Sequence, residues 1–240
     1  MPSMGHLLLE SLAYAVAFAV YRRDRLRYGD KLPDPHRSSI IVAAILGAAV
    51  GSKLLGWAED PADFLRHWRD WQYVMGGKTI VGGLLGGTLA VEWVKAKIGV
   101  TRRTGDLFAI PLAIGIAIGR VGCWIAGLAD HTYGSPTALP WGIDLGDGVR
   151  RHPVQLYEIL FLSALAALLA RMRAAGLQRE GDLYRAFVIA YMGWRLLVDF
   201  LKPEPVFAGL SALQWTCAAA LAWYARDAVA LIRGREVAHG

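Results

Sequence analysis

Cysteine occurs only twice in the 240-residue chain, at Cys123 and Cys217, and both positions sit inside apolar stretches. Neither has a second cysteine at metal-ligand spacing, so the pattern supports neither a disulfide framework nor a cysteine-bearing metal site. Charge is sparse as well, at 19% of residues against 55% hydrophobic. Ordinary soluble domains carry about 25% charged and about 45–50% apolar residues. A chain this short cannot hide that surplus in one aqueous core, so lipid is expected to take it up. There is no internal repeat, low-complexity segment or dividing linker, and a single integral domain over 1–240 is expected. The N-terminus lacks a basic region ahead of its first apolar run, and Glu10 interrupts that run. No cleaved signal peptide is therefore expected.

Apolar segments do recur along the chain, near 6–21, 38–57, 79–98, 106–126, 153–171, 183–201 and 211–232. Crossing a hydrocarbon core of about 30 Å takes about 17 to 25 helical residues, and the first segment is short for that task. The pattern predicts an all-α, polytopic membrane bundle of about seven transmembrane helices. A helical bundle buried in water fits the number and spacing of the runs poorly. The connections between spans differ in charge. Lys and Arg number sixteen in 22–37, 95–103, 171–185 and the C-terminal tail, and six in the alternate connections. The positive-inside rule then places the N-terminus outside and the C-terminus in the cytoplasm. This asymmetry accounts for the net charge of +6 without a nucleic-acid partner. Glycines four apart, such as Gly47 with Gly51, Gly82 with Gly86, Gly83 with Gly87 and Gly115 with Gly119, suit close packing of helices in lipid.

Four basic residues fall within the spans: Lys53, Arg120, Arg195 and Arg226. An Arg at a span centre costs at least about 2.5 kcal/mol on insertion scales. Arg120 and Arg195 both lie toward the outer ends of outward-running helices, where they can face one cavity. Asp199 follows Arg195 by four residues, on the same helix face. Gln155 and Glu158 open the inward-running fifth helix at similar depth. Two readings meet here. In one, Arg195 and Asp199 neutralise each other while Arg120 snorkels to the interface. In the other, the groups form a polar cavity, and the planar guanidinium forks select a phosphate on a lipid headgroup. His152 and Pro153 open the fifth helix, with Pro suited to the first helical position and free N–H groups there favouring an anion. His152 can serve as base, phosphate donor or plain cap. Asp144 and Asp147 offer too few oxygens for calcium and suit a turn with Gly146 and Gly148.

Several motifs follow one another from residue 119 onward: Gly119-Arg120-Val121-Gly122-Cys123, then Asp130-His131-Thr132-Tyr133-Gly134, then His152-Pro153-Val154-Gln155-Leu156-Tyr157-Glu158. Further on come Tyr191-Met192-Gly193-Trp194-Arg195-Leu196-Leu197-Val198-Asp199 and Gly209-Leu210-Ser211-Ala212-Leu213-Gln214. In this order they resemble the prolipoprotein diacylglyceryl transferase family, and the resemblance extends over most of the chain from about residue 40. It implies a seven-helix enzyme of the bacterial plasma (inner) membrane, with its active site near the outer face. Such an enzyme moves diacylglyceryl from phosphatidylglycerol to the thiol of a lipobox cysteine in an exported precursor, without metal or cofactor. By position, Arg120, Arg195 and Asp199 correspond to functional residues of the family. Asp130 stands in for a loop glutamate, and His152 is a further catalytic candidate. Lys78, Gly82, Gly83, Tyr133, Gly134, Gln155, Glu158 and Tyr191 are the candidate substrate-binding residues.

The chain departs from that pattern in the third span. The family has a histidine immediately before two glycines, where this sequence reads Thr79-Ile80-Val81-Gly82-Gly83. Valine neither takes nor gives a proton, so the phosphate clamp is kept while the family's base is replaced. The acceptor is accordingly left open between a lipobox thiol and another group. A phospholipid-binding or lipid-moving protein without catalysis is the alternative. The charge asymmetry makes a direct prediction: single cysteines introduced at Ser135 and at Gly176 should label from opposite sides of intact cells. Labelling of both by an impermeant reagent would refute the topology.

Overall fold

The computed structural model describes residues 4–30, 34–176 and 179–225. They are mostly helical, with almost no sheet. The main helices are α1 (Met4–Tyr28), α2 (Asp34–Glu59), α5 (Ile80–Lys97), α6 (Asp106–Ala126), α7 (Val154–Ala174), α8 (Asp182–Val198) and α9 (Ala212–Trp223), with two short helices, α3 (Pro61–His67) and α4 (Trp71–Met75), between α2 and α5. A helix thus occupies each of the seven apolar segments, and the part of the last one from 226 to 232 lies outside the described residues. Among the described residues, three helical stretches are long and apolar enough to cross a membrane: His36–Glu59, Asp106–Asp130 and Val154–Ala174. Large apolar side chains such as Val42, Ile45, Leu46, Val50 and Leu54 on α2 are exposed, as lipid-facing positions are.

The chain forms two compact units. One contains α2 to α5 and most of α9, and its main contact is α2 on α5. The two helices meet through glycine. A Cβ on Gly82 would strike the Gly51 carbonyl oxygen and stand 2.8 Å from Leu55 Cβ, and one on Gly86 would strike the Gly47 carbonyl oxygen. The glycine spacing read from the sequence is therefore a packing stripe here. Thr79 starts α5 by accepting a hydrogen bond from the Gly82 N–H at 3.2 Å, which satisfies one of the helix's open donors. Asp60 and Asp70 cap α3 and α4 in the same way. Lys53, one of the charges found within a span, donates its Nζ to the carbonyls of Met75 and Gly76 at the end of α4. A cation is favoured there by the unpaired carbonyls and the helix dipole. Trp57 of α2 stacks on Phe64 of α3 with ring centroids 5.0 Å apart.

The other unit contains α1, α6, α7, α8 and the connection between α6 and α7. Here α6 packs against α1, α7 and α8. Near the N-terminal end of α6, Asp106 accepts hydrogen bonds from the N–H groups of Gly181 at 2.7 Å and Tyr184 at 3.1 Å, and Arg173 pairs with Asp24. The 127–152 connection is folded. A 3-10 turn, Gly127–Asp130, is followed by a two-stranded antiparallel ribbon, β1 (Ile143–Asp144) and β2 (Arg150–Arg151), with Ile143 opposite Arg151. Asp144 Oδ1 accepts from the N–H groups of Gly146, Asp147 and Gly148 at 2.8, 3.1 and 3.0 Å. Gly146 and Gly148 have φ of +107° and +80°, a region open mainly to glycine, so this acidic segment is a turn.

Adding side-chain volume to the α2–α5 stripe should destabilise the protein. Gly82→Val is expected to cost about 1–3 kcal/mol by overpacking and to lower the melting temperature of the detergent-solubilised protein. Gly193→Ala, where a Cβ meets nothing within 4 Å, is expected to leave it unchanged or slightly raised.

Candidate active site

Arg120 lies six residues before the C-terminal end of α6, and Tyr191, Arg195 and Asp199 follow one another at four-residue steps along one face of α8 and the 3-10 turn Asp199–Leu201 that extends it. Gln155 and Glu158 lie three apart in the first turns of α7. Helical spacing thus aims one set of side chains from each of three helices at a common point. All six are buried; Glu158 is 3% exposed and Arg195 2%.

Glu158 is the centre of the cluster. Its Oε2 lies 2.8 Å from Arg120 Nε and 3.3 Å from Arg195 Nη1, and its Oε1 accepts from the Tyr191 hydroxyl at 2.7 Å. Arg195 Nη2 donates to Asp199 Oδ1 at 3.1 Å. One carboxylate therefore holds two guanidinium groups, and Asp199 holds the second of them from its other edge. Arg120 does not snorkel, being 7% exposed. Mutual neutralisation and a shared polar cluster turn out to coexist: Arg195 pairs with Asp199 and, through Glu158, joins Arg120.

Not every group of the cluster has a well-aimed partner. Lys202 follows the Asp199–Leu201 turn, and burial, then repulsion from Arg195 and Arg120, holds its amine below the ordinary lysine range. Its positive charge is thus disfavoured beside the two arginines, which Glu158 and Asp199 balance. Two buried guanidinium N–H groups, Arg120 Nε and Arg195 Nε, also have no directed hydrogen bond among the described residues. Arg120 Nε meets Glu158 as a close charge without a well-aimed N–H. Guanidinium N–H groups without a directed partner suit an anion that offers several oxygens.

The remaining candidates are placed as follows. Asp130 ends the 3-10 turn after α6 and accepts from the Thr132 hydroxyl at 2.6 Å. Gln155 Nε2 reaches Thr132 Oγ1 at 3.5 Å. The Tyr133 ring lies under the Arg151 guanidinium, 5.1 Å from its centroid. Gly134 lies against the backbone of His152, whose carbonyl oxygen and Cβ occupy the space a side chain there would need. The helix expected to open at Pro153 begins one residue later, at Val154, because Pro153 has ψ of 65° and serves as the cap. His152 Nδ1 is buried without a hydrogen-bond partner among the described residues. Lys78, Gly82 and Gly83 belong to the α2–α5 unit, where Lys78 is exposed, Gly82 packs on α2 and Gly83 has ordinary contacts with Ala48 and Ser52. Val81, beside them, is 1% exposed.

Comparison with known proteins accords with the motif order. The model of the prolipoprotein diacylglyceryl transferase family matches residues 5–226. The chain belongs to that family. Similar relatives, each named phosphatidylglycerol–prolipoprotein diacylglyceryl transferase, come from Geobacter sulfurreducens (32% identical, covering 87% of this chain and 84% of the relative), Bordetella bronchiseptica (30%; 87% and 83%) and Paracidovorax citrulli (30%; 74% and 70%). Within this diacylglyceryl transferase family member, sequence reading missed Cys123, Thr132 and Lys202. The first was read as apolar and as the end of the Gly119–Cys123 motif but given no role, although it follows Arg120 by three residues, a spacing that brings two side chains together on a helix.

Glu158→Ala should be the most damaging change to the folded state. It leaves Arg120 and Arg195 buried with unbalanced charge, a type of change that costs about 3–5 kcal/mol. Asp199→Asn, which leaves Arg195 its bond to Glu158, is expected to cost about 1–3 kcal/mol. Unfolding of the purified variants measures both, and equal losses would refute the central place given to Glu158.

Proposed function

We propose that this protein is a seven-span, single-domain enzyme of the bacterial inner membrane, N-terminus outside, that cleaves a phosphatidylglycerol-like donor near the outer face and transfers diacylglyceryl. The observation that carries this reading is the buried pair Arg120 and Arg195, bridged by Glu158 and with N–H groups that lack a well-aimed hydrogen bond. In the proposed reaction these two guanidinium groups hold the donor phosphate. The acceptor attacks the glyceryl carbon that bears the phosphate ester. The carbon–oxygen bond breaks, and glycerol phosphate leaves with its new charge stabilised by the arginines. The acceptor's proton passes to a base. Asp199 and Tyr191 orient the clamp through Arg195 and Glu158, while Gln155 and the Tyr133-Gly134 segment shape its approach. The family resemblance adds Lys78, Gly82 and Gly83 as substrate-binding candidates.

Val81 sets the second part of the proposal. A placed general base is worth about 10²- to 10⁴-fold in rate, and valine supplies none. We therefore propose that donor cleavage is retained, that acceptor use has shifted away from the ordinary lipobox precursor, and that Asp130 or His152 takes the acceptor proton. A phospholipid-binding protein without turnover is the competing reading, and Val81 is what favours it.

Purified protein given phosphatidylglycerol should release glycerol phosphate, which a binding protein would not. Arg120→Lys and Arg195→Lys should each cut that release about 10-fold or more, since the charge stays while the planar fork is lost. With a lipobox peptide as acceptor, Val81→His should lipidate peptide faster than wild type. Wild-type lipidation at the rate of a histidine-containing relative would reject the shifted acceptor.

A further inference from the structure

Arg120 is held from two directions, and Glu158 accounts for one of them. On the other side, its Nη1 donates to Cys123 Sγ at 3.7 Å. The Asp130 carboxylate faces the Cys123 thiol and accepts the Thr132 hydroxyl at 2.6 Å. Gln155 Nε2 donates to Thr132 Oγ1 at 3.5 Å. Chemistry fixes the direction of each step. A guanidinium only donates and an ionised carboxylate only accepts. The thiol proton is therefore directed at Asp130, which leaves the sulfur lone pairs for Arg120. The Thr132 proton is likewise directed at Asp130, which leaves its oxygen for Gln155. The chain of groups runs from α6 through the 3-10 turn and back to α7, within one compact unit.

We propose that Cys123 and Asp130 are positioning residues that set the plane of the Arg120 guanidinium for the donor phosphate. The proposal rests on the reading of Arg120 as a phosphate clamp and adds what orients it. With Nε against Glu158 and Nη1 against sulfur, rotation of the guanidinium about its long axis is blocked at two points, and Nη2 is the group left to meet a ligand. A single ion pair does not achieve this, because the Arg120 Nε contact with Glu158 is close without being well aimed.

The test is binding of phosphatidylglycerol to the full-length protein in nanodiscs of zwitterionic lipid, read by native mass spectrometry. Turnover is not needed for this measurement. Cys123→Ala and Asp130→Asn should each weaken binding about five- to tenfold, the effect of losing one hydrogen bond that orients a charged group. Cys123→Ser, whose hydroxyl can accept and donate along the same path, should restore most of the affinity. The Asp130→Asn result is the sharpest. Removing a negative charge from an anion site strengthens binding if Asp130 acts only through its charge, and weakens it if Asp130 acts by orienting Cys123. Tighter binding by Asp130→Asn, or wild-type binding by Cys123→Ala, overturns the proposal. Arg120→Lys separates the two layers: if it weakens binding while the Cys123 variants do not, the clamp stands and the positioning role fails. If Arg120→Lys also binds as wild type, the clamp reading itself is wrong. Melting temperatures of the same samples confirm that each variant is folded.

Discussion

Two guanidinium groups share the Glu158 carboxylate in the interior of a helical unit, and each of the three charges is tolerable there only because of the other two. Moving an ion of this size out of water still costs several kcal/mol after relaxation, so the arrangement exists only while α6, α7 and α8 are assembled. The same requirement shapes the helices around it. Tyr191 supplies a hydroxyl to the carboxylate, Asp199 closes the far edge of Arg195, and the 3-10 turn that carries Asp199 continues the face on which Tyr191 and Arg195 lie. A bundle optimised for stability alone would be better served by apolar side chains at these positions. That three helices all present ionic groups to one point is a sign that the point has a chemical task.

The two compact units use different means to hold their helices. The α2–α5 pair relies on missing side chains, with glycine carbonyls and Cα atoms in the space where Cβ atoms would stand. Lipid offers little hydrophobic drive for such an association, and close backbone approach supplies dispersion instead. The unit with the arginine cluster relies on polar ties: Arg173 with Asp24, Asp106 with the N–H groups of Gly181 and Tyr184, and the Glu158 cluster itself. In both units the polar or glycine positions stand out in sequence against an apolar background.

That contrast explains how much was legible beforehand. The helices, the glycine stripe and the Arg195–Asp199 pair were readable because each depends on local spacing, which helical geometry converts directly into contact. The Asp144 turn was readable for the same reason. Glu158 was recognised as a site residue from its depth and motif, yet its position between two arginines depends on how three helices cross, and no spacing along the chain encodes that. Cys123 escaped notice because cysteine counts as apolar in a hydropathy pattern, and only the neighbouring Asp130 and Arg120 make its sulfur polar in effect. The start of α7 shifted by one residue because Pro153 adopts the capping conformation rather than the first helical one.

The 127–152 connection is tied to the helices at a few backbone points. Ser135 gives both its N–H and its hydroxyl to the Leu201 carbonyl, at 2.7 and 3.0 Å, and accepts the His152 N–H at 3.1 Å. These bonds fasten the two ends of an excursion that runs from Pro136 to Arg151 and is closed by its own bridge between those residues. Within it, Arg150 donates to the Pro140 and Gly142 carbonyls, and Trp141 donates to the Tyr157 hydroxyl in the first turn of α7. The excursion is consequently closed on itself, its ends fixed by backbone bonds that do not run through its middle. The length and composition of the excursion answer to its own contacts, whereas the residues of the Glu158 cluster are fixed by charge.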